Sequence, residues 1–303
     1  MPNQSFWLLY PHYCLKFEYV MKSFLFTKLS GAGNDFILFD EKINPGIYLT
    51  AEIINNISKR RTGIGADGVI VISDSIDFDF DADYYNSDGS TGSLCANGAR
   101  CAIKYAYESG RISKNLTNFK VNGVKYSGEV LNGGNIKFYL NPPSKLKYNF
   151  KIKAGGQLIN SSYADTGSPH VIIHRKDILK DRAKNLVYES LTEIPVYELG
   201  KEIRYSKDFA PEGTNVNFID LLDDTIYIRT YERGVEDETL ACGTGSVASA
   251  IISYVNYGLK PPIKLIPKSG DLLFVDFVFN NNVFSDLSIT GPAKIIFKGE
   301  LSI

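Results

Sequence analysis

The sequence predicts an α/β fold built twice over, as two similar domains that each wrap a sheet around a central helix. Three observations predict it. The stretch Asn86–Cys101, a polar, Gly-containing loop running into Cys95, is repeated in plan by Glu232–Gly245, which runs into Cys242. Each cysteine is followed by a small residue, then Asn97 or Thr244, then a glycine and a helical run. The runs Ala99–Tyr107 and Ser246–Val255 are rich in Ala and apolar residues and stop at Gly110 and Gly258, the pattern of a capped helix. Finally, Gly31–Phe39 is mirrored by Asp165–Ile173: a glycine, a polar residue, then an apolar strand. The elements keep their order in both halves, so the period is about half the chain, too long for a solenoid. Two equal domains leave a cleft between them, where ligands bind.

In chain order, Phe24–Leu29 reads as a strand that enters the turn Ser30–Asp35 and a second strand, Phe36–Asp40. Ala51–Arg61 carries Ile53, Ile54 and Ile57 at helical spacing and leads through Thr62–Gly68 to a buried strand, Val69–Ile72. Asp81–Tyr85 is a strand delivering Asn86 and the first cysteine loop. After the first helix come strands at Asn118–Val121, Lys125–Leu131 and Asn135–Leu140, the last two joined by the hairpin signal Asn132-Gly133-Gly134-Asn135. Asn141-Pro142-Pro143-Ser144 breaks the chain and marks the domain boundary. In the second half, Arg175–Lys207 is mixed and charged, Pro211–Ile219 is a turn into a strand, and Thr225–Tyr231 delivers the second cysteine loop. Ile263–Ile266, Leu272–Phe279 and a last strand, Ala293–Phe297, complete the chain.

The 303 residues are 44% hydrophobic and 22% charged with a net charge of −1, which gives no basis for binding nucleic acid or an acidic membrane surface. No apolar run is long enough to span a bilayer. The four cysteines, Cys14, Cys95, Cys101 and Cys242, form no Cys-x-x-Cys pair, and His12, His170 and His174 are too scattered for a zinc motif. Free thiols fit a reducing, cytoplasmic compartment. Residues 1–20 lack the marks of a signal peptide and precede Met21 and a clean strand; they read as an extension outside the native chain, with Met21 as the natural start.

A thiol at a helix start feels the positive end of the helix dipole, which lowers its pKa from about 8.5 toward neutrality. The free N–H groups of the same turn hold a carboxylate, and the small residues Ala96, Gly98, Gly243 and Gly245 let a ligand approach the backbone. Two such helix ends facing one cleft bind one carboxylate between them and set a sulfur on each face of the neighbouring α-carbon. That geometry suits cofactor-free inversion of an amino-acid stereocentre: a thiolate removes the α-proton and the opposite thiol returns one. Cys101, on the helix, and Cys14 read as inert buried thiols.

At these residues the sequence resembles the diaminopimelate epimerase family. The matching positions run from Met21 to the C-terminus: Gly33-Asn34-Asp35-Phe36, Gly63-Ile64-Gly65-Ala66-Asp67, Asn86 with Asp88-Gly89-Ser90, Cys95 with Asn97-Gly98-Ala99-Arg100, Gly167 with Pro169-His170, Asn215-Val216, Tyr231-Glu232-Arg233-Gly234, Glu238-Thr239 with Ala241–Gly245, and Thr290-Gly291. The resemblance implies two pseudo-symmetric α+β domains, each a twisted, mostly antiparallel sheet or barrel around its helix. The first is residues 21–143 plus 290–303 and the second 144–289. It implies cofactor-independent epimerisation of LL- to meso-diaminopimelate, feeding lysine and peptidoglycan biosynthesis, with a small-molecule substrate, no cofactor, no metal and, as oligomeric state, a homodimer. Cys95 and Cys242 are then the acid/base thiols. The backbones of Ala96, Asn97, Gly243 and Thr244 hold the reacting carboxylate, and Asn34 meets the reacting amino end. Asn86, Asn215 and Arg233 read the distal end, with Ser168, Glu232 and His170 close by. The chain departs from the family pattern at Ala96 (usually Gly), Ser168 (often Asn) and Gly68 (Gln in some members), and its Val235–Glu238 loop is one residue longer. Proline or hydroxyproline racemases share the two thiols but bind no charged distal end, which Asn86, Asn215, Glu232 and Arg233 argue against. Isomerases of the phenazine-biosynthesis type lack the cysteine pair, and an inactive amino-acid-binding protein would not need it.

Overall fold

The computed structural model describes residues 5–10, 13–18, 22–92 and 95–302. Strands β1 (Ser5–Tyr10) and β2 (Tyr13–Glu18) pair with each other as a separate hairpin. The expectations for residues 1–20, Cys14 and His12 included, lie outside the residues whose side chains are described.

The first half runs β3 (Ser23–Gly31), β4 (Asn34–Asp40), α1 (Ala51–Ser58), β5 (Gly68–Ser73), β6 (Phe80–Asn86), α2 (Ala96–Glu108), β7 (Leu116–Val121), β8 (Val124–Val130) and β9 (Ile136–Tyr139). The second runs β10 (Lys145–Ala154), β11 (Gln157–Asp165), β12 (Pro169–His174), β13 (Leu179–Asp181), β14 (Leu186–Val187), α3 (Val196–Arg204), β15 (Asn215–Leu222), β16 (Thr225–Glu232), β17 (Asp237–Thr239), α4 (Gly243–Tyr257), β18 (Ile263–Pro267), β19 (Leu273–Asn280), β20 (Val283–Gly291) and β21 (Lys294–Ser302). Strands β3–β12 and β15–β21 belong to one continuous sheet.

The duplication is visible in the pairing. Most neighbours are antiparallel, but each half contains two parallel pairs, and parallel neighbours need a crossover. In the first half β4 pairs with β5 and β6 with β7; in the second β12 pairs with β15 and β16 with β18. The β6-to-β7 crossover is α2 and the β16-to-β18 crossover is α4, so each cysteine helix occupies the same topological place. Helices α1 and α3 serve the other crossovers and each covers a separate apolar cluster, the first around Ile37, Phe39 and Ile54, the second around Ile173, Leu199 and Phe218. The largest cluster runs through both halves and contains Ala99, Ala102 and Ile103 of α2 with Val247, Ala250 and Ile251 of α4. α4 is buried on all sides over Gly243–Ser253, with only small hydroxyls (Thr244, Ser246, Ser249, Ser253) among its glycines and apolar residues, as a helix at the centre of a core allows.

The structure corrects several expected boundaries. The first helix stops at Ser58 rather than Arg61, because the N–H groups of Gly63, Gly65 and Ala66 take the carbonyls of Lys59, Ile57 and Ser58. A Cβ at position 63 would sit 2.4 Å from the Asn56 oxygen, so this close return needs glycine. The last strand reaches Ser302 and pairs with β3 from Lys294↔Ser30 to Ser302↔Ser23. β20, absent from the sequence reading, pairs with β19 on one side and with β9 of the first half on the other. The β8–β9 hairpin forms at Gly133 and Gly134, both at positive φ, as its turn residues require.

Candidate active site

Cys95 and Cys242 are the N-cap residues of α2 and α4. Both have extended backbone, so each sulfur hangs over the first turn of its helix. The first intrahelical bonds are Ala99 N–H to Cys95 O (2.8 Å) and Ser246 N–H to Cys242 O (2.9 Å). The N–H groups of Ala96, Asn97, Gly243 and Thr244 lie ahead of those bonds, among the four donors every helix start leaves without an intrahelical partner. The two helix ends abut. A Cβ at Gly243 would lie 2.8 Å from the Ala96 methyl and 3.0 Å from Asn97 Oδ1. Asn97 Nδ2 donates to the Ala241 carbonyl (3.2 Å), across the junction, and its Oδ1 accepts from Arg100 Nη2 (2.9 Å). Arg100 is fully buried and also donates to the Ala96 carbonyl (3.3 Å), so a guanidinium stands behind the α2 terminus.

One cavity of about 430 Å³ contains this junction. Its wall includes Asn34, Asn86, Cys95, Ala96, Asn97, Ser168, Asn215, Glu232, Arg233, Cys242, Gly243 and Thr244. The structure thus brings together all of the sequence-predicted residues except His170. It adds Asp67, Tyr84, Asp88, Arg204 and Val235. Asp67 was legible inside the Gly63–Asp67 motif. Arg204 was not, because it ends α3 in the charged stretch whose course the sequence left unread; its Nε donates to Glu236 (3.1 Å).

The first-half wall is an amide–carboxylate chain. Asn34 Nδ2 donates to Asp67 (2.6 Å), which orients Asn34 Oδ1 toward the Cys95 thiol (3.4 Å). Arg60 and Lys28 then neutralise Asp35 and Arg60 bridges to Asp67; the Asp35 carboxyl is held down to about 2 against the desolvation that burial imposes. In the second half Asn215 is spent locally: its Nδ2 donates to the Pro169 carbonyl (2.8 Å) and its Oδ1 accepts from Arg233 N–H (2.8 Å), fixing the turn that presents Arg233. Among the described residues, Arg233 Nη1 donates to the Glu212 carbonyl alone, at 3.3 Å. Glu232 accepts from Thr239 Oγ1 (3.0 Å), and burial, reinforced by the charge of Asp67, raises its carboxyl to about 7.

Three expectations change. His170 does not line the cavity. It is fully buried behind the α4 terminus, 2.9 Å from Ser168 Oγ and 2.9 Å from Thr244 Oγ1. Asn217 Nδ2 donates to His170 Nδ1 (3.1 Å) and to the Val171 carbonyl, while Asn217 Oδ1 accepts from Thr230, so the ring proton sits on Nε2. Burial and Arg233 push this imidazole down to about 3, so it stays neutral and positions Thr244. Ser168 likewise turns its hydroxyl to His170 and Thr244 (3.1 Å) rather than to a distal group. The thiols, expected to be acidified, are the reverse: burial and the facing Glu232 carboxylate push Cys95 up to about 12 and Cys242 well above its usual range. The N–H groups of Asn97 and Gly98 act against this at Cys95, as do Gly245 N–H and Thr244 at Cys242, but desolvation outweighs them. Among the described residues no group of three His, Cys, Asp or Glu side chains is placed to hold a metal ion.

The sequence profile described as "Diaminopimelate epimerase" matches residues 26–146 and 162–295. The chain is 37% identical over 289 residues to a diaminopimelate epimerase of Aquifex aeolicus, covering 91% of this chain and 97% of that one. It is 37% identical over 279 residues to a diaminopimelate epimerase of Chlorobaculum tepidum, covering 91% and 100%. Among solved structures, a phenazine biosynthesis protein of the PhzF family from Bacillus anthracis superposes with a TM-score of 0.70 at 14% identity, over 93% of this chain and all of that one. A hydroxyproline epimerase from Agrobacterium vitis does so at 0.65 and 13%, over 93% of each. These two share the fold; the profile and the sequence relatives place the chain itself in the diaminopimelate epimerase family.

Proposed function

We propose that the chain interconverts LL- and meso-diaminopimelate without a cofactor, using Cys95 and Cys242 as an acid/base pair on opposite faces of one α-carbon. The observation that carries the reading is the pair of N-cap cysteines on two abutting helix ends within a single cavity. The α-carboxylate takes the N–H groups of Ala96, Asn97, Gly243 and Thr244, which stabilise the charge that develops on it as the α-proton leaves. Asn34 and Asp67 receive the α-ammonium. Asn86, Arg233 and Glu232 read the distal carboxylate and ammonium, with Asn215 holding the turn that presents Arg233, and a guanidinium gives the bidentate contact a carboxylate favours.

With the thiols neutral in the protein alone, the arriving α-ammonium supplies the positive charge that favours a thiolate, and one thiol gives up its proton to solvent. That thiolate takes the α-proton, the opposite thiol delivers its own, and the pair ends with its protonation exchanged and no sulfur consumed. The two units, residues 21–143 with 290–303 and residues 144–289, each contribute one thiol. Cys95, Cys101 and Cys242 are all free, in keeping with a reducing cytoplasmic setting. The test is α-deuterium uptake into diaminopimelate in D2O with reductant. Uptake by the wild type and a loss of more than about 10³-fold in both Cys95→Ala and Cys242→Ala support the assignment. Epimerisation surviving in either variant, or exchange of proline in place of diaminopimelate, would refute it.

A further inference from the structure

Two glycines of the first half, Gly68 at the start of β5 and Gly92 in the cysteine loop, close on one phenol. A Cβ on Gly68 would lie 2.7 Å from Tyr84 Cε2 and 3.0 Å from the Tyr84 hydroxyl. A Cβ on Gly92 would lie 2.2 Å from Cε1 of the same ring. Neither glycine has a positive φ, so both are small for space rather than for backbone freedom. The phenol is therefore gripped between two glycines, with the Phe36 ring set edge-on at 6.1 Å between centroids. Tyr84 and Cys95 are both in the wall of the main cavity and both border a separate void of about 10 Å³ beside Gly98 and Ala99.

We infer that Tyr84 is a positioning residue for Cys95: its hydroxyl donates a hydrogen bond to the sulfur when that sulfur is a thiolate. The inference rests on the proposed role of Cys95. Supporting it, burial and the charges of Cys95, Glu232 and Asp67 raise the phenol well above its ordinary range, so it remains a donor and does not compete as a base. The other charged or titratable groups facing the sulfur are Glu232 from β16, Arg100 on α2 and Cys242 at the head of α4; the backbone N–H groups of Asn97 and Gly98 are its other donors, and Asn34 Oδ1 accepts from the thiol.

The test is the pH dependence of Cys95 alkylation, read on its own peptide by mass spectrometry in the wild type and in Tyr84→Phe. This readout is independent of turnover, so it separates a failed tyrosine contact from a failed two-thiol mechanism, which the Cys95→Ala assay reports. The expected result is an upward move of the Cys95 midpoint by about one pH unit, with the Cys242 midpoint unmoved. kcat falls about ten-fold and KM stays within about two-fold. An unmoved Cys95 midpoint overturns the inference. Should the variant fold poorly, 3-fluorotyrosine placed at position 84 keeps the packing and strengthens the donor; the midpoint then moves down, and no movement overturns the inference.

Discussion

The two cysteine corners share a plan and differ in what surrounds the sulfur. Cys95 is half-buried, donates to the Asn34 amide oxygen and accepts from Gly98 N–H, and among the described residues its loop carries an isolated bridge between Tyr85 and Thr91. Cys242 is buried and stands 3.6 Å from the Thr244 hydroxyl, with Ser168, His170 and Asn217 stacked behind it; its loop is braced by β17 paired along β16. An amide and a phenol serve one sulfur, a hydroxyl held by a neutral imidazole the other. Duplication therefore supplied equivalent backbones, and the side chains then made the two thiols unlike in partners and exposure. The pairing is also asymmetric where the helices meet, since Gly243 faces a methyl at Ala96.

That asymmetry is the easiest part of the comparison to break. Gly243→Ala puts a Cβ 2.8 Å from the Ala96 methyl, closer than any relaxed pair of non-bonded carbons, and both are Cβ atoms fixed to buried backbone with no flexible end to give way. The helix ends must separate, so diaminopimelate turnover should fall by more than about 100-fold while the protein stays folded, since carboxylate placement tolerates errors well under 1 Å. The reciprocal Ala96→Gly should stay within a few-fold of wild type. Kinetics of both variants would decide it, and equal losses would refute the asymmetric junction.

Glu232 acts on both corners at once, so Glu232→Gln sharpens what they have in common. Its carboxyl titrates at about 7 in the folded state, above the usual 4.5. Above pH 7 its negative charge faces both thiols and raises them. Removing the charge should move the thiol-dependent limb of the kcat/KM profile to lower pH. Because the folded state binds this proton more tightly than the unfolded state, the group makes the protein less stable as pH rises from about 4.5 through 7. Urea denaturation of the Gln variant at pH 5 and pH 8 should lack that component; an unchanged slope would show that the carboxyl is not perturbed.

The smallest effect is expected one turn and a half along α2, at a thiol that shares the helix with Cys95 but not its N-cap. Cys101 is fully buried in the main apolar cluster. Cys101→Ala should keep turnover within about two-fold and lower stability by about 1 kcal/mol through the lost sulfur. Loss of exchange in that variant would undo the distinction between the N-cap thiols and a packing thiol.

What the residues disclosed follows a pattern. The strand–loop–Cys–helix frames were readable because caps, glycines and apolar runs are local. The site wall was readable largely because its residues cluster on those frames. β20 was not: Val283–Gly291 is interrupted at Asp286, which has a positive φ, and its partner β9 lies more than 140 residues earlier. Arg204 and Tyr84 escaped because their role depends on which chain segments pack beside them. The direction of the thiol shifts escaped for the same reason, since the helix dipole is a local property and desolvation is set by the whole fold.

One pairing has a consequence for how the protein is made. β21, at the far end of the chain, supplies the partner of β3, at the start of the first half. During synthesis the first half waits with an unpaired strand edge until β21 has left the ribosome, a template for wrong partners in the interval. A truncation that removes β21 would thus damage the half of the molecule made first, and with it the corner that carries Cys95.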